Sequence, residues 1–443
     1  MGRKRLGWTI GIILILALGG VARAGAETLT LDQCVQIALE HDGSSEFGMP
    51  SARIGFHQAE QGVWSAWGEL LPRIEHSYGY SYRKFGGNIY NPNTGQRISV
   101  RSATVSWSTQ FGLSHTLFDG GANWYRVAQS YHQRAAQREK LRSAENALIL
   151  GVKTAYFTLL KSQKLVDVQS AAVRRAEQFH KTIQSKYELG SASLSEVLKA
   201  KVEVGSQQYQ LLSRQNDAQT GRARLNTILN RAVDEPLEIA EVGASEPAVP
   251  SYEEATAAAL RESPNVLVAQ ASLRAAKDDI GIARATLFPS VSWSLTRYYN
   301  PFRRNDLLSF PDTVGSWFAG ATLSIPIFEG FQRKTAISNA RVNLKYTRET
   351  LDQAERAAAL AVKEQYLGVQ LAQEAYKLAA QTDSSAQEDF NLAQEKYNLG
   401  AATILDLLGA QASLTTAQTD RVNSLFDYFV AIARLENATG KGR

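Results

Sequence analysis

The sequence of 443 residues has one cysteine, Cys34, so it can form no internal disulfide and no zinc site built on paired thiolates. Its six histidines, at 41, 57, 76, 115, 132 and 180, lack ligand spacing, and Met1 and Met49 are the only methionines, so no specific metal site is supported. No Gly-x-Ser-x-Gly, His-Glu-x-x-His, Gly-x-x-x-x-Gly-Lys or calcium-loop pattern occurs, which leaves an enzyme reading without a motif and predicts no cofactor. Basic residues number 48 against 43 acidic. Residues 1–26 hold Arg3, Lys4, Arg5 and Arg23 and no acid, so without them the count is 44 against 43 and a nucleic-acid partner loses its electrostatic support.

Those 26 residues read as a secretory signal: a basic start, an apolar run from Trp8 to Leu18, and small-x-small sites at Ala22-Arg23-Ala24 and Ala24-Gly25-Ala26. Beyond them no stretch approaches 18 consecutive apolar residues, so no spanning α-helix is predicted and any membrane segment must be strand.

The chain repeats itself. Leu113-Ser114-His115-Thr116-Leu117-Phe118-Asp119-Gly120 recurs 210 residues later as Leu323-Ser324-Ile325-Pro326-Ile327-Phe328-Glu329-Gly330, and the same offset relates Lys186-Tyr187-Glu188-Leu189-Gly190 to Lys396-Tyr397-Asn398-Leu399-Gly400. A first repeat over 27–231 and a second over 252–438 are expected, joined by a linker over 232–251 and followed by a tail over 439–443. The linker is marked by Asp234-Glu235-Pro236, Pro247 and Pro250, which break the helical pattern.

Near Leu70-Leu71-Pro72 and Leu287-Phe288-Pro289 the period becomes two, predicting strands at about 73–83, 102–118, 290–299 and 315–328. Ile74, His76, Tyr78, Tyr80 and Tyr82 alternate with Arg, Glu, Ser and Gly, and Val105, Trp107, Phe111 and Leu113 alternate with Ser, Thr, Gln and Gly. Val291, Trp293 and Leu295, then Trp317, Ala319 and Ala321, repeat the pattern. Such strands suit a membrane barrel with one apolar face and one Ser/Thr face; Tyr78, Tyr80, Tyr82, Trp107, Phe111, Trp293 and Trp317 are candidates for an aromatic band against lipid, or for packing between subunits. The polar, turn-rich stretches 84–101 and 300–315 read as external loops.

Proline is absent from Gly120 to Leu189 and from Gly330 to Leu399, which predicts long helices over 120–188 and 330–398. Val152, Leu159, Val166 and Val173 in one, and Val362, Val369, Tyr376, Asp383, Phe390 and Tyr397 in the other, recur every seven residues. Seventy residues make a rod of roughly 105 Å. Return helices over 194–230 and 404–438 follow, the second with Arg421 interrupting its apolar stripe of Leu407, Leu414, Tyr428 and Leu435. Shorter helices over 31–40, 52–70 and 252–287, with a boundary at Ser263-Pro264, complete the return paths, so the linker and both termini should lie at one intermediate height.

The two Leu-Ser-x-x-(Leu/Ile)-Phe-acid-Gly junctions, the two Tyr-x-Leu-Gly turns and the duplicated order of elements resemble the TolC-like outer-membrane efflux proteins over nearly the whole mature chain. The resemblance implies an α+β membrane protein: a homotrimer whose twelve strands, four per chain, form an outer-membrane β-barrel continued by a periplasmic α-helical coiled-coil barrel. It implies a passive duct in a tripartite system with a periplasmic adaptor (membrane fusion) protein and an inner-membrane pump. It also places adaptor contact at the tips Leu189, Gly190, Ser191, Ala192, Ser193 and Leu399, Gly400, Ala401, Ala402, Thr403, and a periplasmic gate at Glu196, Tyr397 and Asp406. The sequence departs from the family's closing latch at Ala402, where relatives have arginine, and at Gly409, where they have a second acid. The same residues have local readings: Gly190 and Gly400 end helices, Ser193-x-x-Glu196 is a capping box that Thr403-x-x-Asp406 approximates, and Tyr397 lies on a heptad stripe. The alternative function is a periplasmic coiled-coil scaffold or adhesin, which would have no need of two-faced strands.

Overall fold

The computed structural model describes residues 28–40, 45–241, 249–299 and 315–442. The predicted signal segment and the external loop predicted after Tyr299 lie outside them.

Two helices of 67 residues dominate, α3 (Ala122–Glu188) and α7 (Gln332–Asn398), each about 100 Å long. Each turns back into a helix of 35 residues, α4 (Leu194–Ile228) and α8 (Ile404–Ala438). All eight boundaries keep the offset of 210. The long helices start two residues later than periodicity predicts, because Gly120 and Gly121, and likewise Gly330 and Phe331, have positive φ and turn the chain before the first helical bond. A Cβ on Gly120 would lie 2.3 Å from the Ala285 carbonyl oxygen, so glycine is required there by space as well as by dihedral. The acid of the Phe-acid-Gly motif then caps the helix: the Asp119 carboxylate accepts from Gly121 N at 3.2 Å and Asn123 N at 2.8 Å.

Because α4 and α8 are half as long as their partners, shorter helices finish each return. Helix α5 (Tyr252–Glu262) and α6 (Pro264–Ala285), broken at the predicted Ser263-Pro264, extend the path of α4. Helix α1 (Leu31–Glu40) and α2 (Met49–Gly68) extend that of α8; Pro50, tolerated in a first turn, lets α2 begin earlier than predicted. At the junction of the two levels, β1 (Thr28–Leu29) pairs in parallel with β4 (Glu238–Ile239). There the main core gathers Cys34, Met49, Val152, Tyr156, Leu225 and Phe426. Tyr156 is wholly buried; its hydroxyl donates to the Ala240 carbonyl at 2.6 Å and lies 3.2 Å from that of Leu29, tying the two short strands to α3. Burial pushes that hydroxyl up to about 12.

The sheet has the order β2 (Arg73–Tyr90), β3 (Arg97–Phe118), β5 (Ser290–Tyr299) and β6 (Gly315–Ser324), antiparallel throughout. The first hairpin corrects the sequence reading. Residues 84–101, expected as a loop, continue both strands to a tight turn over Asn91–Gln96, closed by Asn91 N to Gln96 O at 3.0 Å with Gly95 at φ +69°. Apolar alternation fades beyond Tyr82, but with no proline before Pro92 nothing interrupts the ladder. Strand β6 stops at Ser324, short of the expected 328, because Pro326 has no N–H to give.

Register sorts the side chains. Rows such as His76–Phe111–Arg297–Trp317 and Ile74–Leu113–Leu295–Ala319 lie on one face; Glu75–Gly112–Thr296–Phe318 and Arg73–Ser114–Ser294–Gly320 lie on the other. One face is therefore mainly aromatic and aliphatic and the other mainly Ser, Thr and Gly, with Phe85, Tyr298 and Phe318 among its exceptions.

Replacing Tyr156 by Phe removes the donor shared by two part-buried carbonyls. Chemical denaturation should show a loss of about 1–2 kcal/mol with an unchanged m-value, and an unaltered midpoint would mean that water supplies the missing bond.

Candidate functional site

The protomer is a wall one element thick. Below the β1–β4 level neighbouring helices run α4, α3, α8, α7; above it they run α2, α3, α6, α7; the sheet runs β2 to β6. One lateral edge is thus α4, α2 and β2, and the other is α7 and β6. Both edge helices of the lower level expose apolar stripes, Leu198, Val202, Tyr209 and Leu212 on α4 and Leu367, Leu371, Leu378 and Leu392 on α7. Stripes at coiled-coil spacing on opposite edges make a heterologous pair of surfaces, which closes into a ring when the rotation allows.

At the bottom, the ten predicted tip residues form two matching turns. Gly190 and Gly400 both have φ +74°; Ser191 N donates to Lys186 O at 2.8 Å and Ala401 N to Lys396 O at 2.8 Å, the paired bonds of a Schellman cap. Leu189 and Leu399 project from the turns, 83% and 84% exposed. Ala192 and Ala402 instead pack inward against a second, smaller core.

Both acids act as caps. Glu196 Oε2 accepts from Ser193 N at 2.7 Å and from its hydroxyl at 3.0 Å, and Asp406 Oδ2 accepts from Thr403 N at 2.8 Å and from its hydroxyl at 2.7 Å. The Thr403 hydroxyl, then the Thr403 backbone N–H, hold the Asp406 carboxyl below its usual value, so it is charged at neutral pH. Each cap engages only one carboxylate oxygen.

Tyr397 is 9% exposed. Its cluster collects Ile183 from α3, Val197 and Ala200 from α4, and Ile404 and Leu407 from α8, so it joins the two helical hairpins. Phe179 meets its ring edge-on at 5.7 Å and Lys186 Nζ lies 4.8 Å from the ring centroid. Burial, and then the nearby Glu196 charge, raise the hydroxyl's pKa. The structure therefore brings Tyr397 and Glu196 together, while Asp406 stays exposed on the second tip.

The polar interruptions in the second repeat pair with one another. Arg421 Nη1 donates to Asp383 Oδ2 at 2.8 Å, where the first repeat has Val173 and Leu211. The α3–α8 seam between the hairpins, apolar at Phe157 and Phe429, also carries polar contacts: Lys153 reaches Glu436 at 2.6 Å, Lys161 reaches Asp427 at 3.2 Å, and Arg175 lies 3.4 Å from both Thr415 and Gln418.

All seven band candidates share the apolar face, with the Tyr80 ring tilted against Trp107 at 4.8 Å and Arg297 over Trp317 at 5.1 Å. Sequence reasoning missed a second aromatic group where the sheet meets the helices. Trp67 meets Trp124 edge-on at 6.1 Å and donates to the Tyr131 hydroxyl at 3.2 Å, and Trp64 stands exposed one turn away. The i, i+3 pair of tryptophans on α2 was the available signal. Among the described residues, no group of three or more His, Cys, Asp or Glu could hold a metal ion.

A family model described as outer membrane efflux protein matches residues 44–231 and 256–441, one match for each repeat. The chain is 24% identical over 420 residues to the pyoverdine export outer membrane protein OpmQ of Pseudomonas aeruginosa, covering 93% of this chain and 83% of that protein. It is 25% identical over 453 residues to the alkaline protease secretion protein AprF of the same species, covering 99% and 89%. A crystal structure of CusC superposes with a TM-score of 0.78 at 18% identity, covering 94% of this chain and 93% of that one, a likeness of fold.

The side chain of Asp383 is 14% exposed, so Arg421→Leu strands a charge and should cost about 1–3 kcal/mol. Adding Asp383→Val recreates the pair of the first repeat and should recover most of that loss in a double-mutant cycle; additive losses would show that the two residues do not couple.

Proposed function

The chain belongs to the outer membrane efflux protein family and is an outer-membrane channel of an efflux or secretion system with a periplasmic helical portion, and we propose that three copies close into one passive duct. The observation that carries this reading is the wall with two open edges at every level. In lipid, unpaired strand edges cost several kcal/mol per backbone group, so β6 of one protomer must meet β2 of the next. Two copies would give eight strands, a bore that side chains fill; three give twelve and leave a lumen. Twelve helix positions at 8–10 Å spacing make a ring about 35 Å across between axes.

The apolar face of the sheet then lies against lipid, with Tyr78, Tyr80, Tyr82, Trp107, Phe111, Trp293 and Trp317 as its aromatic band. The Ser/Thr/Gly face lines the lumen. Such a lining offers cargo little to bind, in keeping with relatives whose names point to cargoes as unlike as pyoverdine and a protease. Selection and energy then come from an inner-membrane pump and a periplasmic adaptor. The tips 189–193 and 399–403 are the proposed adaptor contact: an apolar leucine beside glycine and small residues lets another helical hairpin approach closely. Asp406 and Glu196, tripled by symmetry, form the proposed gate, with Tyr397 holding the two hairpins of each protomer together there.

Planar bilayers test the duct. Purified trimer should give discrete cation-preferring channels, and Asp406→Ala should reduce that preference. The depressed carboxyl pKa means that the wild-type preference persists as pH falls and is lost only below the ordinary carboxylate value of about 3.9. Tyr397→Ala should loosen the tips and raise conductance. Silence from a correctly trimeric wild type and from Tyr397→Ala combined with Glu196→Ala would sink the pore and favour a scaffold.

A further inference from the structure

Between Glu75 and Asp119 the chain has no acidic residue, yet it carries Arg83, Lys84, Arg97 and Arg101. The ladder says where these charges point. Tyr82 lies opposite Val105, Lys84 opposite Ala103, Gly86 opposite Arg101 and Tyr90 opposite Arg97, all on the face that holds the aromatic band. That face is apolar from Ile74 to Tyr82 and then turns basic, with Lys84, Arg101 and Arg97 all exposed. Arg83, opposite Thr104, is on the other face. Arg297 of the second hairpin shares this face but lies lower, in the row of His76, Phe111 and Trp317, and belongs to the apolar band.

Height gives an independent argument. The ten residues Arg73–Tyr82 at about 3.4 Å each, tilted about 40°, cover about 26 Å, close to the apolar band of an outer-membrane barrel. Lys84 and Arg101 therefore stand just beyond the hydrocarbon on the outer side.

We propose that Lys84 and Arg101, with Arg97 above them, form a lipid-facing collar that binds the phosphates of a phosphorylated glycolipid in the outer leaflet. Guanidinium groups take phosphate oxygens in bidentate fashion, and the lack of any acid between Glu75 and Asp119 leaves the attraction unopposed at this level. The proposal rests on the barrel reading and on the aromatic face lying against lipid.

Native mass spectrometry of the purified trimer, titrated with bisphosphorylated lipid A and with the same lipid stripped of phosphate, tests it. The wild type should retain the phosphorylated form preferentially. A Lys84→Gln/Arg101→Gln/Arg97→Gln variant should lose about fivefold in retention per charge removed, Arg101→Lys should keep most of it, and Arg83→Gln should match the wild type. A wild type indifferent to phosphate, or an equal loss in Arg83→Gln, overturns the collar. So does a triple variant that alters ion selectivity but not lipid retention, since the charges would then act on ions at the mouth. Conductance of the same samples in neutral lipid separates the two failures: channels without phosphate preference reject the collar alone, and absence of channels in every sample rejects the barrel beneath it.

Discussion

Everything in this molecule follows from backbone groups that one chain cannot satisfy. Strands β2 and β6 each present an unpaired row of N–H and C=O groups, and no bilayer interior supplies water to meet them. The sheet has to continue into another copy, and a wall one element thick carries that demand down into the helices. The exposed stripes on α4 and α7 are the aqueous counterpart of the open strand edges. Surface that would be a fault in a monomer is here the seam of an assembly.

Much of this was legible because duplication leaves two copies of each clue. The offset of 210 placed both long helices to within two residues, and the capping box at Ser193 could be read letter by letter, while that at Thr403, legible only as an approximation, forms in full. What escaped has physical causes. Beyond Tyr82 the first hairpin leaves the apolar environment, so its face no longer alternates in hydrophobicity even though its ladder runs on. Backbone pairing leaves no trace in composition. Trp64, Trp67 and Trp124 were passed over because their neighbours come from α2 and α3, separated in sequence by both strands of the hairpin. Arg421 looked like a defect in a heptad until its partner, Asp383, could be seen across the seam.

The repeats differ where symmetry would be least useful. Val173 and Leu211 hold the first hairpin with apolar contacts at a level where the second uses an ion pair. At the tips Glu196 is drawn toward Tyr397 while Asp406, in the equivalent place, faces outward. A polar pair at a heptad position fixes register at some cost in stability. The two hairpins meet through apolar packing, such as Phe157 against Phe429, flanked by long ionic side chains.

The helical boundaries of the two repeats match residue for residue, and this makes the protein a ruler with fixed graduations. Adding one residue to α3 would turn every later side chain by about 100° and raise it by 1.5 Å, breaking each seam it touches. Only whole heptads, about 10.5 Å apiece, keep the stripes in phase, and each has to be inserted in both long helices and both returns at once. The distance bridged between the outer membrane and the tips is therefore quantised, and a cell envelope of different width could be matched only in steps of a heptad.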